Sequence, residues 1–287
     1  MAPKAVSNPT CFIVHPPSRL HPNMKRHPDI EEARWQEVQR RLDIIERHEG
    51  CRILFAIESG SRAWGFPSPD SDYDVRFVYA RPVSWYLSLS PGRDVIETPI
   101  EDDMDVNGWD LRKALLLVLK SNAVISEWME SPIVYRQDAV ALRQLRRFAD
   151  RALHPRALTY HYSHLARQQV AAKLSKDRIA LKRYFYALRP ALALRFLRTN
   201  PGCRPPMHLA ALMSETALPA ATRRKIDELV AIKRQTREMG HGRRIPVLDR
   251  LIAEEIARAS ATIAEAPGRA KAEILAADRL FRRLIGD

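Results

Sequence analysis

The chain has 287 residues, 46% of them hydrophobic, with only 10 Gly but five Trp, which excludes disorder throughout and a collagen-like fibre. No apolar run approaches the roughly 20 residues that cross a bilayer, so a membrane-spanning helix is not expected. The net charge of +13 is unevenly placed: residues 1–150 carry 20 Lys and Arg against 22 Asp and Glu, whereas residues 151–287 carry 27 against 12. The whole surplus falls in the second half, the pattern expected when one module does chemistry and the other holds an anion.

Residues 1–28 contain Pro3, Pro9, Pro16, Pro17, Pro22 and Pro28 and no acid, which predicts a mobile extension rather than an amphipathic targeting helix. Cys11-Phe-Ile-Val14 is too short for a secretory core. Cys11, Cys51 and Cys203 form no CxxC pair, which argues against a disulfide scaffold or structural zinc and points to a reducing, cytoplasmic compartment. Order is expected from Asp29, with Asp29-Ile-Glu-Glu32 read as a helix cap with an acid at the third helical position. Ile30, Ala33, Val38, Leu42 and Ile45 recur at helical spacing up to a stop at Gly50.

Arg52–Glu58 is then an apolar run of strand length, Tyr73–Tyr79 alternates as a second strand, and residues 94–107 hold one or two more. Asp110 is suited to cap the helix that follows. From there the pattern reads as helical to the end, with Leu111, Leu115 and Leu119 on one face and a basic amphipathic stretch over 137–152. Breaks fall at Pro190, Asn200-Pro-Gly202, Pro205-Pro206, Pro219, Gly240–Gly242 and Pro267-Gly268. An α+β protein is expected, with a mixed-sheet module over 29–152 and an all-helical basic module over 153–287.

The densest chemistry lies between Glu58 and Val75. Gly60-Ser61 follows a strand, where glycine allows a ligand close to the backbone and the amides of a following helix start face phosphate oxygens. Asp72 and Asp74 open the next strand two residues apart, so both carboxylates are expected on one face. Such neighbours repel unless a cation sits between them, and hard oxygen ligands suit Mg²⁺ or Mn²⁺. A third acid on a neighbouring strand would complete a site for two ions; Asp105 fits the register and Asp103 is the alternative of equal parity.

This combination resembles the DNA polymerase β nucleotidyltransferase superfamily. Gly60-Ser-Arg-Ala-Trp-Gly-Phe66 with Ser71-Asp-Tyr-Asp-Val-Arg-Phe77 is similar to RlaP-type nucleotidyltransferases associated with RNA ligases and RNA repair, as are Asp105–Leu115, Lys120-Ser-Asn122, Glu127-Trp128, Ser131–Tyr135 and Lys182–Pro190. The resemblance covers roughly residues 50–260, with Ala123 standing where the family has proline. It implies a polymerase β-like domain followed by a helical one, and transfer of a nucleoside monophosphate from an NTP to a hydroxyl with two divalent ions. Asp72, Asp74 and Asp105 would be metal ligands, with Gly60 and Ser61 at the triphosphate.

Lys182, Tyr186 and Arg189 fall at i, i+4 and i+7 on one helical face, where two cations would meet phosphates and the tyrosine would stack on a base or ribose; a solvated basic face is the competing reading. Pro190 is expected to kink or end this helix, leaving Arg189 at a boundary. Arg62 is placed to reach a phosphate or to serve only its loop, Arg112 and Lys113 to reach phosphates or solvent, and Trp64 reads as core. His161 and His164 read as surface or packing histidines, and Arg223-Arg-Lys225 and Arg243-Arg244 as solvated charge with RNA backbone as the alternative. The basic half and the resemblance favour an RNA 3′ end as acceptor. A protein hydroxyl (AMPylation), a small molecule, or a non-catalytic RNA-binding module are the rival readings.

Overall fold

A computed structural model describes residues 26–90, 92–173, 178–237, 239–262 and 270–286. Nearly all of the expected extension and the break at Pro267-Gly268 lie outside the described residues. The first helix, α1 (Glu32–Glu49), stops at Gly50 in the left-handed conformation, φ 58°. It starts later than the expected cap: Glu31 is the N-cap residue and makes no side-chain cap bond. Ile30 explains the delay, because it is fully buried, its N–H donates to the His27 carbonyl and the Arg26 guanidinium donates to the Ile30 carbonyl, so Asp29 is spent on the turn that inserts it.

β1 (Arg52–Glu58) is buried from its second residue onward, the pattern of a strand covered on both faces. It leads through the one-turn helix α2 (Gly60–Ala63) to β2 (Tyr73–Ala80), then through α3 (Val83–Tyr86) and β3 (Val95–Glu97) to β4 (Met104–Asp110). α4 (Leu111–Leu119) follows, capped by the Asp110 carboxylate accepting the Arg112 N–H. α5 (Ala123–Met129) is capped by Asn122, β5 (Val134–Gln137) returns to the sheet, and α6 (Ala139–Arg151) is capped by Asp138.

The strands form one mixed sheet in the order β3-β4-β2-β1-β5, with β2 and β4 parallel and the other pairs antiparallel. One face packs on α1 through Val38, Leu42, Val75, Phe77 and Tyr79. The other packs on α4, α5 and α6 through Leu54, Ile57, Val78, Leu115, Trp128 and Leu145.

The second half comprises α7 (Pro155–Lys173), β6 (Arg178–Ala180), α8 (Arg183–Thr199), α9 (Leu209–Ser214), α10 (Ala220–Gln235), β7 (His241–Arg243), α11 (Pro246–Thr262) and α12 (Lys271–Ile285). The fold is α+β, as the sequence pattern indicates, with two differences in detail. β5 lies beyond Asp110, and β6 and β7 pair as a two-stranded ribbon inside the module expected to be all helix. These strands are three or four residues long, too short for an alternation to stand out.

The expected break at Pro190 does not occur. α8 runs through it, because Ala187–Leu194 are all buried and tertiary packing outweighs the hydrogen bond that proline cannot donate. The two halves interlock: Phe66, from the loop after α2, stacks on Phe185 with ring centroids 4.3 Å apart. Ala123 packs with Leu158, Tyr162 and Leu194, so the departure from proline there sits in the joint between halves. α12 returns to the first half, where Ala277, Leu280 and Leu284 join the core beneath α4 and α6.

Candidate active site

The site is built at the end of β1. Glu58 is fully buried; one of its carboxylate oxygens accepts the Asp74 N–H at 3.0 Å, and the other accepts the Tyr135 hydroxyl at 2.8 Å. Burial pushes the Glu58 carboxyl up to about 8, against the opposing effect of these two hydrogen bonds. The Ser59 N–H donates to the Asp74 carbonyl at 2.8 Å, which carries the β1–β2 pairing one step past the strand. Gly60 then adopts φ 59°, and a Cβ there would lie 1.9 Å from Asp74 Oδ2. Only glycine allows the carboxylate to lie over the turn.

The loop between α2 and β2 is held by its own polar groups. Ser61 Oγ donates to Ser71 Oγ at 2.9 Å. Arg62 donates to the Ser71 and Asp72 carbonyls and lies 3.9 Å above the Tyr73 ring centroid. Arg62 is thus a clamp that presents Asp72.

The parallel pairing of β2 and β4 sets Asp74 opposite Asp105 and Arg76 opposite Asn107, on one face of the sheet. The Arg76 guanidinium bridges the two acids, 3.1 Å from Asp74 Oδ1 and 2.6 Å from Asp105 Oδ2. Asn107 also donates to Asp105. Asp103 lies elsewhere, exposed in the turn before β4 with φ 59°, its carbonyl accepting the Tyr73 N–H. Burial raises the Asp74 pKa; Arg76 opposes this, and the negative charges of Asp105 and Asp72 add to it.

A cavity of about 450 Å³ opens over this loop and is closed by the second half. Gly60, Ser61, Asp70, Asp72 and Asp74 line it from the first half as an acidic wall, and Lys182, Lys233 and Arg237 line it from the second as a basic wall. Tyr186 also lines the cavity, its ring edge-on to Trp64 at 5.8 Å between centroids. Burial lowers the Lys233 pKa, with Asp70 opposing and Lys182 adding to the effect, and its ammonium sits 5.4 Å from the Phe66 ring centroid.

Six of the nine residues assigned from sequence to metal or nucleotide therefore meet in one cavity, while three stand off it. Asp105 lies behind Arg76, Arg62 clamps the loop, and Arg189 is buried against Glu127 at 3.2 Å with its guanidinium 4.5 Å from the Trp64 ring. Trp64 is both core and wall: it packs against the helical core and lines the cavity. Arg112 lies over the Tyr86 ring and Lys113 pairs with Asp94 at 3.0 Å, both off the cavity. His161 is partly buried, with burial lowering its pKa, and His164 is exposed against Tyr160. Arg223 donates to the Met213 carbonyl, Lys225 pairs with Glu228, and Arg244 pairs with Asp249.

Sequence reasoning missed Lys233, Arg237 and the roles of Glu58 and Arg76. Lys233 had a readable signal, since it continues the buried face of Ile226 and Leu229, where helical spacing calls for an apolar side chain.

Among the described residues, no group of three or more His, Cys, Asp and Glu side chains forms a ready metal cage. The donor set still fits a divalent cation in one way. Asp72 and Asp74 offer hard oxygens to the same cavity, which suits Mg²⁺ held by two carboxylates with substrate phosphates completing the shell. Arg76 already supplies a positive charge between Asp74 and Asp105, so Asp105 is free to ligate only when Arg76 releases it.

A strand, a Gly-Ser turn and paired aspartates on the next strand, set in a mixed sheet with a helical module closing the cleft, define a polymerase β-like architecture. The chain belongs to the RlaP family, described as the RNA repair pathway DNA polymerase beta family, which it matches over residues 35–283. It is also 42% identical over 238 residues to a Bacillus subtilis (strain 168) protein named "Uncharacterized protein YcgL", covering 83% of this chain and 90% of that one. Among the described residues, no helix is long and apolar enough to cross a membrane.

Proposed function

We propose that the protein transfers a nucleoside monophosphate from an NTP to a hydroxyl, with an RNA 3′ end as acceptor. The observation that carries this reading is one cavity lined by both charges, Asp72 and Asp74 from the first half and Lys182, Lys233 and Arg237 from the second. A triphosphate needs cations along its length, and the basic wall supplies them from the helical half. A divalent ion bound at the aspartates would neutralise the reacting phosphoryl group and lower the pKa of the attacking hydroxyl. Tyr186, beside Trp64, offers a face for the base or ribose. An aspartate of the pair lines the same cavity and is suited to receive the proton of the acceptor hydroxyl. The Glu58 carboxyl holds the Asp74 backbone in place for this.

The test is incubation with α-labelled NTPs, Mg²⁺ or Mn²⁺, and a short RNA, beside an Asp72→Ala/Asp74→Ala variant. Label in the RNA that the variant fails to transfer is the expected result. Label on protein alone would move the acceptor to a protein hydroxyl. No label with any NTP, together with unaltered RNA binding by the variant, would make the chain a binding module.

A further inference from the structure

Away from the cavity, α6 and α12 enclose a groove of about 330 Å³ whose lining includes four arginines, Arg147 and Arg151 from one helix and Arg279 and Arg283 from the other. It shares no lining residue with the candidate active site. All four are exposed, and among the described residues none is ion-paired with an acid. Other arginines of the chain are held by acids, Arg136 by Asp43 and Glu46, Arg195 by Glu255 and Arg204 by Glu130 and Asp150. Four guanidinium groups left facing one groove repel one another until an anion arrives. The favourable location of cations at helix C-termini covers Arg151 and Arg283, in the last turns, but not Arg147 and Arg279 one turn earlier.

We propose that this groove binds the sugar-phosphate backbone of an RNA strand, as a second site that holds the body of the acceptor. The arginines come as an i, i+4 pair on each helix, so the two members of a pair stand about 6 Å apart along the axis. Two such rows match a repeating chain of phosphates better than they match a single anion. Guanidinium forks suit phosphate oxygens geometrically as well as electrostatically. The Gln144 side chain lines the same groove, and its Oε1 is buried without a hydrogen-bond partner. Turned over, that amide presents its N–H₂ to an incoming oxygen.

The choice of RNA rests on the acceptor proposed above, but the groove is tested without relying on transfer. Binding of a fluorescent RNA is measured over a salt series for the wild type, for Arg147→Ala/Arg151→Ala, for Arg279→Ala/Arg283→Ala and for the quadruple variant, with thermal unfolding and NTP binding as controls. The quadruple variant is expected to bind RNA at least about tenfold more weakly, and each lost phosphate contact to reduce the slope of log K against log salt by about one. Its unfolding temperature, NTP binding and labelling of a dinucleotide acceptor are expected to match the wild type. RNA affinity and salt slope that match the wild type in the quadruple variant overturn the proposal, as does a wild type that binds no RNA. Competition by polyglutamate as effective as that by RNA of equal charge also overturns it, in favour of an acidic protein partner. Loss of dinucleotide labelling by the aspartate variant bears only on the transfer reaction, so the two readings fail separately.

Discussion

Glu58 is the residue on which the geometry of the site turns, because it ties the end of β1 to the start of β2 from inside the core. With its carboxyl pushed up to about 8, the folded state keeps a proton that the unfolded chain releases above its ordinary value near 4.5. Between those values the native state binds more protons, so this group makes stability fall as pH rises. The fall is complete above the folded value and absent below the unfolded one. Glu58→Gln keeps an acceptor for the Asp74 N–H and removes the titration. Its unfolding temperature is therefore expected to drop less than that of the wild type between pH 5 and pH 8, and parallel curves would show that Glu58 is not the titrating group.

Gly60 acts on the same carboxylate from the other side. Gly60→Ala forces an L side chain to φ 59° and drives its Cβ into Asp74 Oδ2. About 1–2 kcal/mol of backbone strain is expected from the conformation alone, measurable by urea unfolding. A displacement of Asp74 by an ångström or so would cost about a hundredfold in transfer rate.

At the level of elements, the most consequential departure is α12. Its sequence has the apolar spacing of an amphipathic helix, and nothing in that spacing says which core it faces. In the fold it lies against α4 and α6, with Leu280 8% exposed and Leu284 7% exposed. Leu280→Ala is expected to cost about 2–4 kcal/mol in urea unfolding, as a buried large-to-small change does. A fragment of residues 29–152 would leave this core face bare. It is expected to lack a cooperative thermal transition until a peptide of residues 270–286 is added, and a sharp transition without the peptide would show that the first half folds alone.

α8 shows the same dependence on context. Pro190 is a strong local signal for a break, yet the helix is buried on nearly every side and continues. Local signals held at the Asp110 cap and the Gly50 stop, and failed at Asp29, where burial of Ile30 sets the start of α1.

For the whole molecule, the candidate site exists only because the halves meet. Lys233 is held partly desolvated in the cavity wall, where burial disfavours its charge more than Asp70 favours it. Lys233→Met is accordingly expected to leave unfolding temperature equal or higher while weakening NTP binding about tenfold, read by titration calorimetry. Unchanged NTP affinity would remove the basic wall from the proposal. The charge asymmetry also takes on a sharper meaning. The second half's surplus of 15 positive charges supplies the cations of the cavity wall and three of the groove's four arginines, Arg151, Arg279 and Arg283.

The sequence alone determined the succession of the motif, a strand, a Gly-Ser turn and two aspartates opening the next strand. A period of two puts alternate residues on one face, which made Asp103 and Asp105 alternatives of equal parity until the pairing of β2 with β4 set Asp105 opposite Asp74, whereas the α+β class followed from where strand-length runs give way to helical spacing. It could not determine which cations stand near those acids. Arg76 bridges Asp74 and Asp105 through side-chain directions set by the parallel pairing, while Arg62 and Arg189 turn to partners of their own. Lys233 and Arg237 arrive from well over a hundred residues away. Contacts between segments so far apart arise when cores close and helices choose their neighbours, and only the tertiary structure decides that.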